Sequence, residues 1–280
     1  MKANLTLNLT ENLTLGLQPR QSGPPARVFH LSLVLAKEHY TFYTITSIIS
    51  QDEVHQVKKW ILVLFYAVDI FFCLRAIKKK LSHEYALTKP FLMPLLCSVY
   101  FAFLPVTLMK EPYQKYVLFA LLFHTLGDIL LLFPRNKTKA FFYSGMASFF
   151  VGHVMYCLWF IKAPIGHSHK LAFFTLFVVL ICEYLLFRQL MLGPRRYASK
   201  LLPYSLGLAI LAVSVASTFG NGTDPLATLI SLIGVALFCF SDYCIERRLV
   251  RMPLFGQMVV MSTYISGQTL IVLGMLLLQI

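Results

Sequence analysis

Residues Tyr116–Phe133 read YVLFALLFHTLGDILLLF, an apolar run about long enough to cross the hydrocarbon core of a bilayer as a helix. Asp128 lies among its leucines, and an aspartate near the middle of a transmembrane helix costs roughly 2.5–3.5 kcal/mol on insertion scales. A second run, Ile230–Ile245, repeats the pattern with Ser241 and Asp242 near its end. Because intramembrane carboxylates are functional by default, the two runs predict a membrane fold with a site inside it.

The composition of the chain indicates a membrane protein. Of its 280 residues, 58% are hydrophobic and 13% are charged, and the mean hydropathy is +0.69, whereas a soluble domain carries about a quarter charged residues. We therefore expect an all-α, polytopic integral membrane protein whose partner is the lipid bilayer. The net charge of +13 comes from short basic clusters between apolar runs, which set membrane orientation. No basic domain or groove-reading helix supports binding to nucleic acid.

Proline, glycine and charged residues divide the chain after residue 56 into eight apolar segments, as expected at helix ends. Residues 57–280 are therefore predicted to form an eight-helix transmembrane domain. The expected spans are Trp60–Ile77, Pro90–Leu108, Tyr116–Phe133, Phe141–Ile161, Leu171–Leu192, Leu201–Phe219, Leu226–Ile245 and Phe255–Leu278. Residues 1–56 are expected to be a polar tail, in which Val28–Val57 is a candidate interfacial helix.

The distribution of basic residues predicts the orientation. The loops after the first, third, fifth and seventh spans are richer in Lys and Arg than the loops between them, so the positive-inside rule places both termini on the non-cytosolic side. Asn4, Asn8 and Asn12 each begin an N-x-Thr sequon, which can be glycosylated only from the lumenal side.

The direction of each predicted helix gives the relative depth of its polar residues. The third and seventh spans run in the same direction, and the fourth and eighth run in the opposite one. Six polar side chains are therefore expected at similar depth: Lys89, Asp128, His153, Asp242, Tyr264 and Gln268. His124 is four residues before Asp128, so both lie on one helix face. Structural roles stay open for these groups, and Glu183 is expected to form a structural ion pair with Arg188.

Five stretches of the sequence resemble motifs of the lysoplasmalogenase family, also called YhhN-like or transmembrane protein 86-like. Gly127-Asp128 resembles the family's Gly-Asp motif, and Gly145–Tyr156 resembles the helix that follows it. Phe240-Ser241-Asp242 resembles the Ser-Asp motif, Met261–Gln268 resembles the final helix, and Lys89-Pro90 resembles an early Lys-Pro pair. The agreement extends over about residues 60–280.

The resemblance implies hydrolysis of the vinyl ether bond of lysoplasmalogens to a fatty aldehyde and glycerophospho-ethanolamine or -choline. In this hydrolysis of a plasmalogen, the β-carbon of the vinyl ether is protonated, and water adds to the resulting oxocarbenium ion. Two carboxylates in a low-dielectric site can divide the roles of proton donor and anion, and we predict Asp128 and Asp242 as this pair. The residues expected to bind or orient the substrate are Lys89, at its phosphate, and His153, Tyr156, Ser241, Tyr264 and Gln268.

The same resemblance sets the expected partners. The substrate is a lysophospholipid, no cofactor is expected, and a homodimer is left open. The lipid chemistry leads us to expect the endoplasmic reticulum membrane.

A metal site is one alternative. His124, Asp128, His153 and Asp242 are ligand types suited to Zn²⁺, which would activate water directly. The sequence contains no compact ligand motif for it.

A proton- or cation-coupled transporter is the alternative from another class. Paired intramembrane acids serve such coupling, and Pro94 and Pro105 interrupt the second predicted span. No internal repeat relates spans 1–4 to spans 5–8, as it does in many transporters, so an enzyme is the preferred prediction.

Overall fold

A computed structural model of the chain describes residues 53, 56–133, 139–191, 195–220, 222–249 and 255–280. The expected N-terminal tail, its sequons and nearly all of the candidate interfacial helix lie outside the described residues. Residues Val57–Ile280 form one compact unit.

Every regular element of the described residues is a helix. In chain order, with labels used from here on, the helices are α1 Gln56–Lys79, α2 Ser82–Phe103, α3 Gln114–Leu130, α4 Lys139–Lys162, α5 His169–Met191, α6 Arg195–Ser217, α7 Pro225–Leu249 and α8 Gln257–Leu277. This confirms the predicted all-α class and places one helix on each predicted span.

Five of the described helices are both long and apolar enough to cross a membrane: α1, α2, α4, α7 over Pro225–Ile245, and α8. They confirm an integral, multi-pass membrane protein. Helix α3, which carries Asp128, has 17 residues, and the apolar part of α6 is the shorter stretch Ser205–Ser217.

Six of the described helices pack in a closed ring, called the helix ring from here on. Helix α2 packs against α3, α3 against α4, α4 against α6, α6 against α7 and α7 against α8, and α8 returns to α2. Helix α5 packs on the outside of α6, and α1 is joined to α8 by a 2.7 Å hydrogen bond between the hydroxyls of Tyr66 and Thr269. Polar groups that face the centre of this ring are shielded from water and lipid.

Small residues allow α7 and α8 to approach closely. A Cβ added to Gly234 would lie 2.7 Å from the main-chain nitrogen of Ile271, and one added to Gly267 would lie 2.9 Å from the carbonyl oxygen of Gly234. Close backbone packing at small residues is a main source of helix association in membranes. The two glycines therefore fix the position of the helix that carries Tyr264 and Gln268.

The predicted bounds of the second span are wrong at both ends. The helix begins at Ser82 and ends at Phe103, because Leu104 is extended ahead of Pro105, and proline disfavours helical backbone at the residue before it. Pro105 is therefore outside the helix. Lys89 lies within it, in a 3₁₀ turn over Lys89–Phe91, where Pro90 lacks the N–H that an α-helical hydrogen bond needs.

Candidate active site

A buried ion pair between α2 and α3 lies inside the helix ring. The Lys89 ammonium is 3.1 Å from Oδ1 of Asp128, and the two side chains are 8% and 2% exposed. The same ammonium is 3.5 Å from the main-chain carbonyl oxygen of Asp128. Buried charges persist when each has a partner, so the pair accounts for the cost of placing an aspartate in α3.

Tyr264 of α8 completes a three-residue cluster. Its hydroxyl donates a 2.7 Å hydrogen bond to Oδ2 of Asp128, so a different donor contacts each carboxylate oxygen. Both donors stabilise the carboxylate in its charged form. The sequence predicted that Lys89, Asp128 and Tyr264 lie at similar depth, and in the structure they are in contact.

A second polar cluster, called the histidine group from here on, consists of His124, His153, Tyr156 and Gln268. It begins at His124, one helical turn before Asp128 on α3. Nδ1 of His124 is 2.6 Å from the carbonyl oxygen of Ala120, and because a carbonyl only accepts, Nδ1 carries the hydrogen and Nε2 carries a lone pair. Among the described residues, Nε2 has no hydrogen-bond partner, although the residue is fully buried. The imidazole centroid is 5.2 Å from that of His153 on α4.

Tyr156 connects this group to α8. Its hydroxyl donates a 2.8 Å hydrogen bond to Oε1 of Gln268, and its ring centroid is 5.2 Å from that of His124. Nε2 of Gln268 is buried and has no hydrogen-bond partner in the part of the chain that the structure describes. The group therefore contains one unused donor and one unused acceptor, which together suit a water molecule.

Two phenylalanines join the polar groups into one site. The Phe149 centroid is 5.5 Å from that of His124 and 6.0 Å from that of Tyr264. The Phe238 centroid, on α7, is 4.9 Å from that of His153 and 5.5 Å from that of Tyr264. These aromatic walls surround the polar atoms with apolar surface, which strengthens electrostatic interactions between them.

Asp242 lies on α7, and the Asp128 carboxylate lies on α3. The Asp128 carboxylate contacts the Lys89 ammonium and the Tyr264 hydroxyl. The catalytic role of Asp242 stays a prediction.

Asp242 lines a cavity of about 570 Å³ between α5, α6 and α7, together with Glu183. Ser205 of α6 donates a 2.7 Å hydrogen bond to Glu183. The expected ion pair of Glu183 with Arg188 is not among those of the described residues, because residues five apart do not share a helix face.

Ser241 has a hydrogen bond of its own. Its hydroxyl donates to the carbonyl oxygen of Val260 at 2.9 Å and is fully buried. It therefore joins α7 to α8 next to Asp242.

The expected zinc ligands are not assembled into one site. In the described part of the chain, no group of three or more His, Cys, Asp and Glu side chains is placed to hold a metal ion. His124 and His153 lie side by side, whereas Asp242 lines the cavity between α5, α6 and α7.

Three residues of the site were not predicted from the sequence: Tyr85, Phe149 and Phe238. The Lys89 ammonium is 5.9 Å from the centroid of the Tyr85 ring. The spacing of four residues between them was a usable signal once the helix was known to begin before Lys89. The two phenylalanines look like ordinary apolar positions in the sequence, because only tertiary packing distinguishes them from lipid-facing ones.

Comparison with known families gives one match. The model described as the YhhN family matches residues 84–275, a range that includes every residue of the polar site. No curated protein and no solved structure matches the chain significantly.

Proposed function

Because this chain belongs to the YhhN family, which includes lysoplasmalogenases, we propose that it is a membrane-embedded hydrolase of the vinyl ether bond of lysoplasmalogens. The products are a fatty aldehyde and glycerophospho-ethanolamine or -choline. The observation that carries the proposal is the buried contact of Asp128 with Lys89 and Tyr264. It supplies a proton, an anion and a base at one point inside an apolar bundle.

In the proposed reaction the ion pair alternates between a charged and a neutral form. Inside an apolar site, a buried pair can neutralise when the proton moves from the ammonium to the carboxylate. The Asp128 carboxylic acid then protonates the β-carbon of the vinyl ether. This leaves the Asp128 carboxylate facing the oxocarbenium ion that it has created, so the developing positive charge is stabilised by a preorganised anion.

The second half of the reaction restores the ion pair. The oxygen of water bonds to the cationic carbon, and the neutral Lys89 amine takes the proton that the water loses. The hemiacetal then breaks its bond to the glycerol oxygen and gives the aldehyde and the alcohol. Tyr264 holds the Asp128 carboxylate through Oδ2, and Asp242 stays the predicted second carboxylate of the catalytic pair.

The water has a proposed position in the histidine group. The lone pair on Nε2 of His124 accepts from it, and the unused N–H of Gln268 donates to it. His153 and Tyr156 border this position and orient its two partners. We place the activity in the endoplasmic reticulum membrane, in keeping with a lipid substrate.

Product analysis by mass spectrometry tests the proposal. Purified protein in detergent is given lysoplasmenyl-ethanolamine, and parallel samples receive the ester-linked lysophospholipid with the same head group. The expected result is a fatty aldehyde from the vinyl ether alone. Absence of aldehyde from folded, monodisperse protein would refute the hydrolase, and proton flux in liposomes would then test the transporter alternative.

A further inference from the structure

The proposed substrate carries a phosphodiester, and in the structure the Lys89 ammonium is already paired with Asp128. The sequence suggested Lys89 as the residue that binds this phosphate, but its ammonium is held by the carboxylate and the carbonyl of Asp128 inside the bundle. We propose that the phosphate of the substrate binds instead to Lys78 and Lys80, in a cleft where α1 ends and α2 and α8 begin. This inference rests on the proposed function for its ligand.

The basic cleft has a volume of about 810 Å³, within the range of small-molecule sites. Its polar lining consists of Lys78, Lys80, Ser82, Tyr85 and Gln257. None of the described residues that line it carries a carboxylate, so the two ammonium groups give this part of the cleft a positive charge. Donors without competing acids are what a phosphate requires.

The backbone at Lys80 supports a role for its side chain. Leu81 N–H donates to the carbonyl oxygen of Ala76 at 2.8 Å, and Lys80 N–H donates to that of Ile77 at 3.2 Å. These are the two bonds of a helix C-cap in which the central residue is left-handed and is most often glycine. Lys80 has a φ of 57° there. A lysine at this position costs free energy that a glycine would not, which is typical of functional sites.

Tyr85 joins the cleft to the catalytic cluster. It lines the cleft, and its ring centroid is 5.9 Å from the Lys89 ammonium. Tyr85 and Lys89 are one turn apart on α2, a rise of roughly 6 Å. In the substrate, the phosphate and the vinyl ether oxygen are attached to opposite ends of one glycerol. With the phosphate in the cleft, the glycerol would extend past Tyr85 toward the Lys89–Asp128 pair, whose ammonium and carboxylate are 3.1 Å apart.

The variants that test this are Lys78→Gln and Lys80→Gln, singly and together, with Lys79→Gln as the matched control. Lys79 is the neighbour in the same basic run and does not line the cleft. We expect the double variant to raise the KM for lysoplasmenyl-ethanolamine about tenfold or more while kcat changes less than about twofold, since uniform binding is lost. Lys79→Gln should change neither constant. Equal effects of all three lysines would overturn the proposal.

A binding measurement separates this proposal from the proposed activity. Glycerophospho-ethanolamine and inorganic phosphate are each titrated into the purified protein in detergent and followed by ³¹P NMR. We expect the glycerophospho compound to bind more tightly, with binding weakened by salt and lost in the double variant. Binding that survives in the double variant would refute the cleft, and equal binding of inorganic phosphate would refute a lipid head-group site. A wild type that binds but releases no aldehyde would refute the activity and leave the cleft supported.

The variant Lys80→Gly separates the effect of the Lys80 ammonium on binding from its effect on the stability of the fold. Glycine relieves the left-handed backbone, so we expect a higher melting temperature together with weaker binding of glycerophospho-ethanolamine. Retained binding in this more stable variant would contradict a role for the Lys80 ammonium.

Discussion

Removing Lys89 while Asp128 stays in place leaves a carboxylate without its cation inside the helix ring. The side chains are 8% and 2% exposed, and breaking a buried pair on one side costs about 3–5 kcal/mol. For Lys89→Met we expect the lower part of that range, because Tyr264 still donates to Oδ2. For Asp128→Asn we expect a similar loss, since the ammonium keeps its 3.5 Å contact to the main-chain carbonyl.

The double variant distinguishes coupling from two separate losses. If the two effects were independent, Lys89→Met with Asp128→Asn would lose about 6–10 kcal/mol. Because the double variant leaves no uncompensated charge, we expect it to lose no more than about 2 kcal/mol, as for other buried pairs replaced on both sides. Equilibrium unfolding in mixed micelles measures the free energy of unfolding for each protein.

An exposed pair between α1 and α2 provides the control. Arg75 and Glu84 form a 3.5 Å ion pair with side chains 37% and 42% exposed, and exposed pairs contribute about 0–1 kcal/mol. The cycle of Arg75→Met and Glu84→Gln should therefore show little coupling. If the losses at Lys89 and Asp128 were additive, the coupling free energy of the buried pair would be as small as that of the control pair. That result would refute the buried ion pair as the feature that stabilises the site.

Further predictions concern the fold, the orientation and the chemistry. Tyr264→Phe removes one donor to the Asp128 carboxylate, so we expect aldehyde release to fall about ten- to a hundredfold with an unchanged elution profile; unchanged kcat would contradict a role in the reaction. Gly267→Ala places a Cβ 2.9 Å from the carbonyl oxygen of Gly234, and we expect a loss of about 1–3 kcal/mol in the free energy of unfolding, whereas Ala at the open Gly256 should cost less. Glycosidase treatment of protein made in cells should increase its gel mobility, because the three N-terminal sequons are expected to face the lumen; unchanged mobility would argue against this orientation.

Hydropathy, together with proline and glycine at helix ends, predicted the helices well because each of these signals depends only on residues that are close in sequence. The apolar run from Tyr116 to Phe133 covers most of α3, and Pro164 and Gly220 lie between helices as predicted. The bounds failed at the second span, where Pro90 is accommodated by a 3₁₀ turn inside the helix. A proline predicts local disruption, but the surrounding packing decides whether the helix ends there.

The sequence predicted at which depth in the membrane the polar residues lie, but not which helices are neighbours around the ring. Lys89, Asp128 and Tyr264 were expected at one level of the membrane, and they are in contact. Asp242 was predicted to act together with Asp128, and this stays a prediction. Helices α3 and α7 lie across the ring from each other, and the ring centroids of His124 and Phe238 are 5.9 Å apart there. The sequence gives the depth of a residue through helix direction, whereas the order of helices around the ring depends on tertiary packing.

The most direct test measures turnover of lysoplasmenyl-ethanolamine in D₂O by the wild type and by Asp128→Asn, each confirmed to be folded. For the wild type we predict a fatty aldehyde with one deuterium on the carbon next to the carbonyl, because the β-carbon of the ether is protonated from a solvent-exchanged group. For Asp128→Asn we predict a loss of about a hundredfold or more in the rate of aldehyde release. Near-normal turnover by folded Asp128→Asn would contradict the assignment of Asp128 as the group that protonates the substrate.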